Sequence, residues 1–89
     1  MLTLTECVDL SGLANDEVEI IAQHQQVPEI VAAELGYQLL QSPKGIYQLH
    51  CLFLDALEQA KLRRDNARAR RINRIYTGFC MTYPKPRAV

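Results

Sequence analysis

A chain of 89 residues, 48% of them hydrophobic and 22% charged, suits one compact domain and excludes a disordered chain or a second domain. The formal net charge is zero, yet residues 1–60 carry nine acids and one base while residues 61–89 carry nine bases and one acid, so −8 faces +8. The longest apolar runs, Ile30-Val31-Ala32-Ala33 and Cys51-Leu52-Phe53-Leu54, fall well short of the roughly 20 residues needed to span a bilayer.

The first ten residues hold Glu6 and Asp9 but no Lys or Arg, and no apolar segment of signal-peptide type follows. A cytoplasmic, bacterial protein is expected. Cys7, Cys51 and Cys80 are odd in number and form no C-x-x-C pair, which favours reduced thiols over a disulfide framework.

Residues 1–14 alternate briefly, Leu2-Leu4-Glu6 against Thr3-Thr5-Cys7, and then reach Ser11-Gly12, which reads as an extended N-terminal arm with room for one short strand. Helix 1 is predicted over about residues 15–26. Asn15 is the expected N-cap, and Asp16, Glu17 and Glu19 place negative charge where the helix dipole favours it. Val27-Pro28 stops that helix, because proline has no N–H and forces its predecessor out of the α region.

Helix 2 is predicted over residues 28–41. Its polar positions Glu34, Gln38 and Gln41 form one thin stripe, so the rest of its surface should be surrounded by protein. Gly36 in mid-helix predicts close approach of a neighbour. Ser42-Pro43 restarts the chain as N-cap and first helical residue of helix 3, which should reach about Arg64 with Ile46, Leu49, Phe53, Ala56, Leu57 and Ala60 on its core face. Leu52 and Leu54 fall outside that ladder.

Asp65-Asn66 supplies the cap of helix 4, expected to run to about Thr82 before Pro84 and Pro86, with residues 84–89 as a frayed tail. Ile72, Ile75, Tyr76, Phe79 and Tyr83 share one of its faces; Arg70, Arg71, Arg74 and Thr77 take the other. Short connections between four helices predict an all-α fold, a four-helix antiparallel bundle with helices 2 and 3 at its centre. Two helices carry more apolar surface than a monomer of this size hides. A homodimer or higher oligomer using the Leu52 and Leu54 side of helix 3 is therefore expected.

Seven bases crowd into Lys61, Arg63, Arg64, Arg68, Arg70, Arg71 and Arg74. Such a row suits nucleic-acid phosphates, where charge neutralisation supplies affinity without base reading. It equally suits Glu17, Glu19, Glu29 and Glu34 on neighbouring helices, or an acidic partner protein, and zero net charge favours that second reading. A helix-turn-helix reading of residues 30–36 fails, since a recognition helix from Tyr37 would meet Ser42-Pro43 after about two turns and hold no base before Lys44.

His24, His50 and the three cysteines lack metal-ligand spacing; adjacent His50 and Cys51 point about 100° apart on a helix. A cysteine nucleophile needs a histidine base held by a third group, and no such set is apparent along the chain. No glycine-rich phosphate loop exists either. No cofactor and no enzymatic activity are expected.

Asp9-Leu10-Ser11-x-Leu13, Glu17-Val18, Ile21-Ala22-x-His24 and Val27-Pro28-Glu29-Ile30-Val31-Ala32-Ala33-Glu34-Leu35-Gly36 together resemble small bacterial all-helical proteins of uncharacterised function. The resemblance covers residues 9–40 and implies no ligand or catalytic residue. The sequence thus points to a non-enzymatic interaction or regulatory module. Leu52 and Leu54 are its candidates for self-association, and Arg63, Arg64, Arg70, Arg71 and Arg74 for a charged partner. The alternative is a nucleic-acid accessory protein using the arginine face.

Overall fold

A computed structural model describes residues 12–86 as four helices: α1 (Asn15–Gln25), α2 (Glu29–Leu39), α3 (Pro43–Leu62) and α4 (Asn66–Thr82). The result is an all-α, four-helix antiparallel bundle. Residues 1–11 of the arm expected over 1–14, its short strand included, lie outside the described residues; residues 12–14 lead into α1, with Leu13 buried and Ala14 as its N-cap. Among the described residues no helix is long and apolar enough to cross a membrane.

Local chemistry sets the helix ends. Ser42 Oγ accepts from Gly45 N at 3.1 Å, and Asp65 Oδ1 accepts from Arg68 N at 3.1 Å, so both expected caps form. At α1 the cap is Ala14 rather than Asn15. Alanine offers no side-chain acceptor, and Glu17 instead reaches back to accept from Ala14 N at 2.7 Å. Gln26 (φ 56°) and Arg64 (φ 59°) enter the left-handed region just beyond α1 and α3. There the chain reverses through Val27 N to Ala22 O and Asp65 N to Ala60 O, both 3.0 Å.

Helices α1 and α3 occupy the centre: each packs on all three others, while α2 and α4 scarcely touch one another. This corrects the expected centre of helices 2 and 3. The reason lies in side-chain size. Helix α1 buries Val18, Ile20 and Ile21, whereas α2 buries only Ala32, Ala33 and Gly36. Ile30, Val31 and Tyr37 of α2 stay exposed, so that helix is not surrounded by its own chain. Leu49 and Phe53 of α3 and Ile72 and Phe79 of α4 complete the core, each such side chain contributing about 1.5–3 kcal/mol on burial.

Two glycines are required by close approach. A Cβ on Gly45 would lie 1.9 Å from the Leu39 carbonyl oxygen, so only glycine lets α3 start so tightly after α2. A Cβ on Gly36 would lie 2.2 Å from Leu13 Cδ1. The neighbour that Gly36 admits is thus chiefly a buried leucine preceding α1.

Candidate interaction surface

Leu52 and Leu54 do not share a side. Two positions apart on a helix means about 200° of rotation, so one turns in when the other turns out. Leu52 packs against the core, and Leu54 lies on the surface at 39% exposure. The expectation of one leucine face therefore fails for Leu52. In its place Tyr47, Cys51, Leu54 and Glu58 follow one another at i, i+4, i+7 and i+11, all exposed, on the side of α3 opposite Leu49 and Phe53. Leu62, 76% exposed, extends this outward stripe toward the basic end of the chain.

The arginines divide into two groups. Arg71 turns toward α1 and grips Glu19 with both arms of its guanidinium, at 3.2 and 3.1 Å, with Asp16 at 3.8 Å. The hydrogen bonds from Arg71 hold the Glu19 carboxyl below the usual carboxylate range. Arg68 also turns to α1 and donates to Gln23 Oε1. Glu17, a further candidate partner, forms no ion pair among the described residues; burial outweighs its backbone hydrogen bond and pushes its carboxyl upward.

Arg63, Arg64, Arg70 and Arg74 are exposed, and among the described residues none pairs with a carboxylate. Arg70 and Arg74 stand one turn apart on the outward side of α4, followed by Thr77 and Met81. Arg63 and Arg64 sit in the connection that leads into that helix. Glu29, Glu34 and Glu58 are likewise exposed, with no cationic partner among the described residues. Of the row that could face acids on neighbouring helices or another subunit, Arg71 alone pairs with a carboxylate among the described residues.

Sequence reasoning missed the contacts of both histidines. His50 is fully buried between α3 and α4. Its Nε2 lies 2.7 Å from the Tyr83 carbonyl, which can only accept, so Nε2 carries the proton; Nδ1 then accepts from the Tyr76 hydroxyl at 2.9 Å. Cys80 Sγ stands 3.9 Å from the same Nδ1. Burial, reinforced by Cys80 and Cys51, pushes the Tyr76 phenol up to about 12. The tyrosines and phenylalanine of helix 4, read as one face, were the available signal for what surrounds His50. His24 Nε2 meets Asp55 Oδ2 at 2.6 Å and ties α1 to α3. Among the described residues no group of three His, Cys, Asp or Glu side chains converges as a metal site.

A polar cleft of about 150 Å³ opens where α1 and α3 end and α4 begins, lined by Gln23, Gln26, Gln59, Arg63, Asp65 and Arg68 among others. A second, shallower groove runs between the start of α1 and the end of α4, past Glu17, Arg74 and Ile75. Compared with family models, curated proteins and solved structures, the chain matches none.

Proposed function

We propose that this chain is a non-enzymatic helical interaction module that works as a dimer or higher oligomer, assembled through the outward faces of α2, α3 and α4. One observation carries the reading: among the described residues Arg63, Arg64, Arg70 and Arg74 have no carboxylate partner and Glu29, Glu34 and Glu58 no cationic one, on a chain of zero formal net charge. A second copy supplies each set with its complement, and the same argument holds for an acidic partner protein. The exposed Tyr47, Cys51, Leu54 and Leu62 stripe gives that contact an apolar centre. Catalysis by the Cys80 and His50 pair is disfavoured, because the imidazole is sealed from solvent and Tyr76 already uses its acceptor nitrogen.

Light scattering behind size exclusion tests the proposal. A mass above 10.1 kDa that falls as salt rises is expected, and Leu54→Glu should return the monomer mass. A wild-type monomer at every concentration and salt overturns it.

Arg70 and Arg74, one turn apart and facing outward with Arg63 and Arg64 nearby, favour one second reading: contact with a nucleic-acid phosphate backbone. Fluorescence anisotropy with duplex DNA and with RNA separates it. Binding that weakens steeply with salt supports phosphate contact, and no binding at about 50 mM salt ends it.

A further inference from the structure

We propose that the cleft between the ends of α1 and α3 and the start of α4 binds the phosphate group of a free small molecule. Two chain reversals and a helix cap build it. Gln26 turns left-handed at the end of α1, Arg64 does so after α3, and Asp65 caps α4, which brings Gln23, Gln59, Arg63 and Arg68 around one concavity.

The chemistry of the lining selects an oxyanion. Two guanidinium groups, Arg63 and Arg68, face one carboxylate, Asp65, leaving a surplus of one positive charge (two minus one). The Asp65 carboxylate already accepts the Arg68 backbone N–H at 3.1 Å, so its role in the turn is accounted for. Arg68 is pre-oriented by its bond to Gln23 Oε1 and keeps four of its five N–H donors for a ligand. Arg63 has no carboxylate partner among the described residues. A guanidinium fork matches two oxygens of a phosphate, and paired forks fix its orientation.

Size favours a free small molecule over a polymer. The cleft is small, at about 150 Å³. Pockets that enclose a drug-sized ligand start at roughly twice that volume. A phosphate with a small substituent fits; a nucleobase attached to it stays outside.

The cleft shares Arg63 with the self-association reading, but Arg68 belongs to the cleft alone. Its residues are Arg63 and Arg68, not the Leu54 stripe or Arg70 and Arg74. The experiment is a titration of the full chain with inorganic phosphate at constant ionic strength, balanced with chloride, read by calorimetry and by the thermal midpoint. Saturable binding with a rising midpoint is expected. Arg63→Gln should weaken it about tenfold or more, because a charge-assisted fork is lost from an exposed side chain with no carboxylate partner among the described residues. Arg68→Lys, which keeps the charge but not the fork, should weaken it as well. Arg74→Gln should leave the affinity within about twofold, and Leu54→Glu should bind phosphate as the wild type does. Phosphate that acts no differently from chloride, binding unchanged by Arg63→Gln, or capture of DNA or RNA without any response to free phosphate overturns the proposal.

Discussion

The seam between α3 and α4 and the seam between α1 and α2 join helices by different means. In the first, large rings meet: Phe53, Tyr76, Phe79 and Tyr83 stack in tilted pairs 5.0–6.0 Å apart, and buried His50 bonds to Tyr76 and Tyr83. In the second, Ala32, Ala33 and Gly36 bring α2 close to its neighbours while Ile30, Val31 and Tyr37 stay exposed. A ring seam gains stability from buried area and fixed hydrogen bonds. A small-residue seam gains proximity and leaves its bulky side chains available for something else.

The largest expected effect breaks the ring seam. Phe79 is fully buried and touches Phe53, His50 and Tyr83. Phe79→Ala should cost about 3–5 kcal/mol, which in a domain this small lowers the melting midpoint by more than about 10 °C in thermal unfolding followed by circular dichroism. A midpoint within a few degrees of wild type would show that α4 is held elsewhere.

The small-residue seam is tested by filling it. Gly36→Leu places atoms where Leu13 Cδ1 already stands 2.2 Å from a bare Cβ, so overpacking should cost about 1–3 kcal/mol in denaturant unfolding. An unchanged denaturation midpoint would mean that α2 moves freely off Leu13 and that proximity there is not enforced.

These seams also mark what could be read in the chain and what could not. Ser42 and Asp65 were legible as caps because capping is a contact over three residues, settled before any tertiary packing. The paired arrangement of Ile72, Tyr76, Phe79 and Tyr83 was legible from helical spacing. The place of α2 was not: a helical wheel counts apolar residues but does not say which face finds a neighbour, and the compact contacts of Ala32, Ala33 and Gly36 left Ile30 and Tyr37 outside. Leu52 and Leu54 were misjoined because proximity in sequence was given more weight than about 200° of rotation. Arg71 stood among seven bases, and only the crossing of α4 over α1 sets it against Glu19. The phosphate cleft draws on three chain ends, and no local pattern announces such a meeting.

A smaller effect sharpens the ring seam through pH. In the unfolded chain Tyr76 ionises near 10; in the folded protein burial holds its proton to about 12. Between those values the unfolded chain releases a proton that the folded one keeps, so stability falls as pH rises through that window and the contribution is intact below it. Spectrophotometric titration should find a tyrosine ionising near 12 that is lost in Tyr76→Phe. Tyr76→Phe should flatten the decline in stability above pH 10, and a decline of the same slope in that variant would remove Tyr76 as its source.

The smallest expected effect concerns the outward side of α2. Tyr37 is 51% exposed, whereas the residues α2 buries are Ala32, Ala33 and Gly36. Tyr37→Ser should therefore change the unfolding free energy by no more than about 0.5 kcal/mol when the chain is dilute. The comparison becomes sharper when the same variant is melted at rising protein concentration. If α2's bulky residues are covered only in an assembly, the wild type should gain stability with concentration and Tyr37→Ser should gain less, since binding that favours the native state raises the midpoint by mass action. Equal gains would confine the association to the outward stripe of α3 and leave Tyr37 with neither role.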